Sequence, residues 1–336
     1  MDNIYILMIA ALAILAIADL VVGVSNDAVN FLNSAIGSKA VSFKTIMIVA
    51  SLGVAFGALS SSGMMEVARK GIFMPSEFYF NEIMIIFMAV MITDILLLDF
   101  FNTLGMPTST TVSIVFELLG AAVIMSLIKI STSDSQTIAD LGQYINTAKA
   151  TEIILGILLS VVVAFSIGAF VQYNTRLLLT FNFEQKAKWV SALFGGIAAT
   201  AITYFILIKG LKGASFVSGD FKLFISENAM IIVALSFIFW TALCSLITAV
   251  FKMSVYKFII IIGTFAIAMA FAGNDLVNFI GVPIAAWQSY EAWVASGVPA
   301  TEFSMEVMSK KVPTPSLLLF LAGLVMVLTL WFSKKA

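Results

Sequence analysis

Nine long apolar runs constrain the fold of this chain more than any other feature of its sequence. They are centred near residues 14, 55, 91, 119, 162, 199, 240, 269 and 325. About 20 apolar residues in a helix cross the hydrocarbon core of a bilayer, and only helices and closed barrels satisfy the backbone there. Barrel strands would alternate in polarity, whereas residues 153–171 are apolar throughout, with interspersed Gly and Ser. The sequence therefore predicts an all-α, polytopic helical protein of the cell (inner) membrane.

The composition agrees with a membrane protein and excludes several function classes. Hydrophobic residues make up 61% of the chain and charged residues 11%, and the mean hydropathy is +1.08. Soluble domains are far more polar. The net charge of -1 gives no basis for binding nucleic acid. Since the chain has no histidine and a single cysteine, Cys244, it lacks the commonest proton relay and cannot form an intrachain disulfide.

One polar motif occurs twice within apolar sequence. The hexapeptide Asn-Asp-Ala-Val-Asn-Phe of residues 26–31 returns as Asn-Asp-Leu-Val-Asn-Phe in residues 274–279. The copies fall in the first and eighth apolar runs, so they point in opposite directions if every run crosses the membrane once. That arrangement indicates an inverted-topology repeat, as in secondary transporters. The alternative is a chance match, but chance would rarely keep the Asp, both Asn and an upstream glycine, Gly23 or Gly273.

A second motif, Gly-Met-Pro-Thr-Ser-Thr-Thr in residues 105–111, interrupts the apolar sequence. Pro107 suits the first turn of a helix, and Thr108 and Ser109 are good N-cap residues. The motif predicts a helix start whose free N–H groups, dipole and hydroxyls favour an oxyanion. The alternative is a kinked transmembrane helix whose hydroxyls satisfy backbone carbonyls.

Together these motifs resemble the signatures of the PiT-type inorganic phosphate transporters. That family carries a duplicated Gly-Ala-Asn-Asp-Val-Ala-Asn-Ala and a Gly-x-Pro-Val-Ser-Thr-Thr-His, which residues 23–30, 272–278 and 105–112 match in spacing. The resemblance implies cation-coupled uptake of phosphate, with both Asn-Asp motifs and the hydroxyl stretch facing one central site. Val112 replaces the family's histidine, and Val24 and Ser25 loosen the first signature.

The resemblance also organises the chain as a single transmembrane transporter domain. Residues 1–130 form the first repeat, residues 131–255 are intervening helices, and residues 256–336 begin the second repeat. A second Ser-Thr-Thr motif is expected after Asp275 but does not occur in the sequence. We therefore expect the second repeat to be incomplete here and the natural protein to continue.

The chemistry divides the candidate residues into two sets. Bare Asp27 and Asp275 would repel phosphate, so we expect them to hold the coupling ion, and hard oxygen ligands suit sodium. In a helix the two asparagines of each motif share a face, and unwinding near the glycines would free carbonyls as further ligands. The predicted substrate-binding residues are Asn26, Thr108, Ser109, Thr110, Thr111 and Asn274. The predicted ion-binding residues are Asn26, Asp27, Asn30, Asn274, Asp275 and Asn278.

Four other carboxylates lie in apolar sequence, where each costs about 2.5 to 3.5 kcal/mol at a bilayer centre. They are Asp19, Asp94, Asp99 and Glu117. Asp94 and Glu117 are the candidates for a role in ion coupling. Asp94, like Asp99, approaches the hydroxyl motif in sequence, and Glu117 lies about two turns after it. The alternative is that Glu117 bonds to a neighbouring helix and that Asp99 lies at the membrane interface.

The predicted function is symport of inorganic phosphate with sodium or protons, without an organic cofactor and without a metal other than the coupling sodium. Sulfate is the alternative solute, because it has similar size and geometry. An intramembrane hydrolase with Asp27 and Asp275 as an aspartate pair is the alternative of another class. The flanking asparagines and the lack of a Gly-x-Gly-Asp loop argue against an enzyme. The expected partners are inorganic phosphate and membrane lipid, with no nucleic acid, and a homodimer is left open.

Overall fold

The computed structural model describes residues 2–61, 72–181, 188–210, 217–250, 254–309 and 314–333. The α-helices in these ranges are α1 Asp2–Ser38, α2 Phe43–Ser60, α3 Phe80–Leu104, α4 Thr110–Thr132, α5 Leu141–Tyr144, α6 Thr147–Leu179, α7 Lys188–Phe205, α8 Gly219–Glu227, α9 Ala229–Ala249, α10 Val255–Ser296 and α11 Ser316–Phe332. A π-helical turn, Ile206–Gly210, extends α7. Short 3-10 turns occur at Pro75–Glu77, Ile138–Asp140 and Met305–Ser309.

The prediction of a polytopic helical membrane protein is confirmed. In the described ranges, eight helices are long and apolar enough to cross a membrane: α1, α2, α3, α4, α6, α7 with its extension to Ile208, α9 and α10. The ninth apolar run forms α11, an apolar helix of 17 residues.

The two helices that carry the Asn-Asp motifs are the longest among those described. α1 has 37 residues and α10 has 42, which correspond to about 56 Å and about 63 Å of helix at 1.5 Å per residue. Both run unbroken through residues 26–31 and 274–279. The expectation that the backbone unwinds near the motif glycines is therefore wrong. Even Pro283 lies inside α10 without ending it.

The buried apolar side chains form two large clusters. The first joins α1, α2, α10 and α11 and includes Phe31, Leu276 and Phe279 beside the motifs. The second joins the start of α1, α3, α4 and the C-terminal part of α10, with Phe87 and Trp293 among its members. Because α1 and α10 belong to both clusters, they form the centre of the bundle, and the two motifs lie where the clusters meet.

Small residues allow α2 to approach α10 closely. A Cβ on Gly53 would overlap the carbonyl oxygen of Phe265, and one on Gly57 would overlap that of Met269. Such small-residue contacts let helix backbones pack in a membrane, where lipid removes most of the hydrophobic driving force. By contrast, the membrane-spanning part of α6 buries none of its residues among the described helices. Because of the glycine contacts, α2 holds α10, the helix that carries the second motif, on one side.

Candidate functional site

A tight turn between α3 and α4 places a helix start beside the motifs. Gly105 ends α3 in the left-handed region, with φ of 68°, a conformation that favours glycine. α4 begins at Thr110, and the Ser109 hydroxyl caps it by accepting from the N–H of Val112 at 3.3 Å. The predicted helix start in the hydroxyl motif is confirmed. The positive end of the α4 dipole therefore lies at residues 109–111.

Asn26 of the first motif fastens this turn to α1. Its Nδ2 donates to Asn102 Oδ1 at 2.9 Å and to the carbonyl oxygen of Met106 at 3.1 Å. Its Oδ1 accepts from the N–H of Thr108 at 2.8 Å. Asn102 in turn donates to the carbonyl oxygen of Val22 at 2.9 Å. Both ends of the buried Asn26 amide are thus used in positioning the start of α4.

Asn102 was not among the predicted residues. It is a polar residue near the end of the otherwise apolar α3, three positions before Gly105. That position was the available signal, because an amide near a helix end commonly bonds backbone groups of the following turn.

The second motif reaches the same helix start from α10. Asn278 Nδ2 lies 3.0 Å from Thr111 Oγ1, 3.2 Å from Thr110 Oγ1 and 3.2 Å from Asp275 Oδ1. The Thr111 hydroxyl donates to Asp275 Oδ1 at 3.3 Å. Asn278 and Thr110 are buried, whereas Thr111 is exposed. Both copies of the Asn-Asp motif therefore converge on the first turn of α4.

The two motif aspartates lie near each other without a basic partner. Asp27 is 4% exposed, accepts from Asn30 Nδ2 at 3.2 Å and interacts with the Thr110 hydroxyl. Its second oxygen, Oδ2, is buried with no hydrogen-bond partner among the described residues. Asp275 is close enough to Asp27 to repel it. A buried pair of this kind is costly unless a cation or a proton neutralises it.

The packing of aromatic rings fixes how α1 and α10 cross. The ring of Phe279 lies against Gly23, where a Cβ would overlap it, and the ring of Phe31 stacks on Phe271 with centroids 4.7 Å apart. Since a later residue of α1 meets an earlier residue of α10, the two helices are antiparallel here. Gly23 therefore permits close packing, which explains why it does not break the helix.

Three cavities adjoin these residues. One of about 530 Å³ is lined by predicted site residues from three helices: Asn30, Thr111, Asn274, Asp275 and Asn278. A second, of about 430 Å³, is lined by Asn26 together with the Gly105–Pro107 part of the turn. Thr108 and Ser109 line a third, of about 740 Å³, along α3 and α4. The structure thus gathers five of the predicted residues around one cavity and places Asn26, Thr108 and Ser109 on the walls of the other two. Asp27 and Thr110 are buried and line none of these three cavities.

The two candidates for ion coupling lie apart from this group. Asp94 is fully buried on α3, and its Oδ1 is 2.6 Å from the Ser113 hydroxyl on α4. Glu117 is half-buried, one turn further along α4, and its Oε1 is 2.7 Å from the same hydroxyl. Ser113 was not predicted, although its spacing of four residues from both Ser109 and Glu117 places all three on one face of α4.

The donor set of the site restricts which cations fit it. In the described part of the chain, no three His, Cys, Asp or Glu side chains form a group that could hold a metal ion. A cation beside Asp27 and Asp275 would therefore take its remaining ligands from amide and hydroxyl oxygens. Oxygen donors of this kind suit hard cations rather than transition metals.

Known proteins resemble this chain along nearly its whole length. A model of the "Phosphate transporter family" matches residues 23–335. Proteins named "Putative phosphate permease" in Pyrococcus abyssi and Pyrococcus furiosus are 25% and 26% identical over 304 residues, covering 89% of this chain and 68% and 67% of theirs. A solved structure, "The sodium-dependent phosphate transporter", has a TM-score of 0.71 at 19% identity, covering 98% of this chain and 76% of that one. The latter likeness shows a shared fold.

Proposed function

Because this chain belongs to the phosphate transporter family, and so transports phosphate rather than acting as a hydrolase, we propose that a cation gradient drives its phosphate transport. We further propose that the cation binds beside Asp27 and Asp275 and that phosphate binds at the first turn of α4. Sodium is the favoured cation, since the structural relative is named as sodium-dependent.

The observation that carries this proposal is the meeting of both Asn-Asp motifs at one helix start. Thr110 and Thr111 contact Asn278 and Asp275 on α10, and Thr110 also interacts with Asp27 on α1. A helix start attracts anions through free N–H groups and its dipole, whereas carboxylates attract cations. Opposite preferences within a few ångströms allow each ion to stabilise the other, which is the requirement for symport.

Charge makes the cation necessary. Phosphate carries between one and two negative charges near neutral pH, and each elementary charge costs about 2.3 kcal/mol to move against 100 mV. The helices that build the site, α1, α3, α4 and α10, contain two basic residues: Lys129, which pairs with Glu82 far from the motifs, and Lys257, which lies 18 residues before Asp275, about 27 Å along α10. Bound cations would therefore offset both the phosphate and the two aspartates.

Within this proposal the predicted residues have different roles. Asp27, Asn30, Asp275 and Asn278 hold the cation, and Asn274 contributes to both ions from the wall of the 530 Å³ cavity. The hydroxyls and N–H groups of residues 108–111 bind the anion. Asn26 keeps its predicted place in both sets, and its contacts suggest that it acts mainly by holding the turn in position.

We also propose that the motifs belong to inverted repeats, with residues 1–130 as the first repeat, 131–255 as intervening helices and 256–336 as the start of the second. The antiparallel crossing of α1 and α10 at the motifs supports this arrangement. In transporters built this way, one repeat moves against the other to expose the site on alternate sides.

The test is labelled phosphate uptake into proteoliposomes that contain the full chain. Uptake is measured under an inward sodium gradient, an inward proton gradient and no gradient, with sulfate as competitor. We expect sodium-driven uptake that resists sulfate. The variants Asp27→Asn and Asp275→Asn should each abolish the gradient-driven part while inserting normally, because each loses a charge that the cation requires.

The matched control is Glu152→Gln, which removes an exposed carboxylate of α6 that pairs with Lys149 at 2.9 Å. Its uptake should equal that of the unmodified protein. Sodium-stimulated uptake retained in both aspartate variants would contradict the assigned cation site. Uptake that is equal with and without gradients would contradict coupling.

A further inference from the structure

Three carboxyl groups inside the bundle have no role in the site described above. Asp19 on α1 and Asp94 on α3 are fully buried, and Glu117 on α4 is half-buried. Asp19 interacts with Asp94 and more weakly with Glu117, so side chains from three helices form one cluster. Buried carboxylates in a membrane are expensive, and such groups mark functional positions by default.

The two short contacts of Ser113 indicate an acidic proton in this cluster. The Ser113 Oγ lies 2.6 Å from Asp94 Oδ1 and 2.7 Å from Glu117 Oε1. Both distances are typical of hydrogen bonds, but a hydroxyl has one hydrogen to donate. A single hydrogen shared between two carboxylates would give two weak bonds, whereas two full bonds form when one carboxyl donates to Ser113 and Ser113 donates to the other. The short distances favour the second pattern, in which either Asp94 or Glu117 is a neutral acid.

Asp19 provides a second, independent observation. It is 0% exposed and comes from a different helix, and apart from the interaction with the Asp94 carboxyl neither of its oxygens has a hydrogen-bond partner among the described residues. The outer oxygens of the two other acids, Asp94 Oδ2 and Glu117 Oε2, are also buried without such a partner. Ionised carboxylates in that state are strongly disfavoured, so the cluster requires a bound proton or cation.

The helices packed around the cluster offer no such charge. α1 and α3 contain no basic residue, and Lys129 of α4 pairs with Glu82 at 2.8 Å, about 18 Å beyond Glu117 along the helix. Outside the cluster, Asp94 repels Asp27 on α1, and α10 contributes Asp275 beside Asp27. The basic residue of α10, Lys257, lies 18 residues before Asp275, so the charged groups that interact with the cluster from these helices are acidic.

The cluster has a route to the proposed anion site. Ser109, Ser113 and Glu117 follow one another at four-residue intervals along one face of α4. All three line the cavity of about 740 Å³ between α3 and α4. A proton on Glu117 can thus reach this cavity, whose wall also includes the cap of the helix start.

From these contacts we propose that Asp19, Asp94 and Glu117, bridged by Ser113, form a proton-binding site separate from the Asn-Asp motifs. The step is reversible dissociation of a carboxylic acid, with the proton exchanging through the cavity along α4. Proton exchange at this site accompanies each transport cycle. This role in transport rests on the proposed function, whereas the proton site itself does not.

Infrared spectroscopy of the reconstituted full chain tests the site directly, because protonated carboxylic acids have a carbonyl stretch that carboxylates lack. We expect this band at neutral pH, and we expect it to persist when Asp27→Asn and Asp275→Asn are combined. In that background, Asp94→Asn and Glu117→Gln should each reduce it. Asp99→Asn, which removes an exposed carboxyl of the same helix as Asp94, should leave it unchanged.

Absence of the band in the double-aspartate background would overturn the proposal, and so would equal bands in all cluster variants. If Asp94→Asn does not insert, Ser113→Ala keeps all three acids and should shift the pH at which the band disappears. The role of the site in transport is tested by measuring phosphate uptake by Glu117→Gln and by the unmodified protein across pH and taking their ratio, in which phosphate ionisation cancels. A ratio that is constant with pH contradicts this role. Lack of phosphate uptake in the unmodified protein contradicts only the proposed function.

Discussion

Replacing Asn26 by alanine should loosen the turn before α4 without removing any anion ligand of that helix. The substitution deletes three contacts of 2.9, 3.1 and 2.8 Å, to Asn102, Met106 and Thr108. Side-chain hydrogen bonds in membrane proteins contribute about 0.6 kcal/mol each, so the turn loses about 2 kcal/mol. If phosphate binding requires the ordered turn, the apparent affinity falls by up to roughly 30-fold, at about 1.4 kcal/mol per factor of ten, with the full loss reached when the free variant's turn is mostly disordered.

The assay combines thermal unfolding in detergent with phosphate uptake in proteoliposomes. We expect Asn26→Ala to lower the melting temperature and to raise KM more than it lowers the maximal rate. Asn30→Ala is the matched control for stability, because Asn30 is exposed and makes only a 3.2 Å contact with Asp27. Asn102→Ala should lie between the two, since the contacts of Asn26 to Met106 and Thr108 survive. An Asn26→Ala protein with unchanged melting temperature and KM would refute the reasoning.

Three further substitutions probe the helix packing and the helix start. Gly57→Ala places a Cβ against the carbonyl oxygen of Met269 and should destabilise the protein by about 1 to 3 kcal/mol in thermal unfolding, whereas Gly156→Ala, in open space on α6, should not. Ser109→Ala removes the cap of α4, which should lower the stability of the protein by about 1 kcal/mol and raise KM for phosphate. An unchanged KM would show that Ser109 caps the helix without contributing to phosphate binding. Thr111→Val keeps the shape but removes a hydroxyl of the site, and we expect lower sodium-driven uptake at unchanged melting temperature.

The sequence was sufficient to predict the features that depend on local pattern. Apolar runs predicted the helices, and the Pro-Thr-Ser-Thr-Thr stretch predicted the start of α4, because capping depends on residues within one turn. The role of the glycines was harder to predict. Gly23 is compatible with a break in the helix or with a close contact between helices, and only the position of Phe279 shows that it permits a contact.

Contacts between helices that are far apart in the sequence could not be predicted from the sequence alone. Nothing local indicates that Asp19 meets Asp94 or that Asn26 bonds to Asn102, because helical periodicity does not specify which helices become neighbours. Asp94 and Glu117 were nevertheless identified as candidates, since a carboxylate in apolar sequence is costly wherever it packs. The sequence thus indicated which residues have unusual chemistry but not the groups that they contact.

The crossing of α1 and α10 has the reciprocity that inverted repeats predict. Phe31 ends the first motif and packs on Phe271, three positions before the second motif. Phe279 ends the second motif and packs on Gly23, three positions before the first. Each contact exchanges the roles of the two copies, as inverted repeats require. This reciprocity supports the proposed repeats.

The first asparagine of each motif departs from that reciprocity. Asn26 is 5% exposed, and its amide is hydrogen-bonded to the turn before α4. Asn274, by contrast, is exposed and lines the 530 Å³ cavity with Asp275. Ions that bind and leave in each cycle need a face open to water, and a binding site also needs a part that keeps its geometry. Because the α1 copy is fixed to the helix start and the α10 copy opens to the cavity, we expect ion exchange to take place on the α10 side.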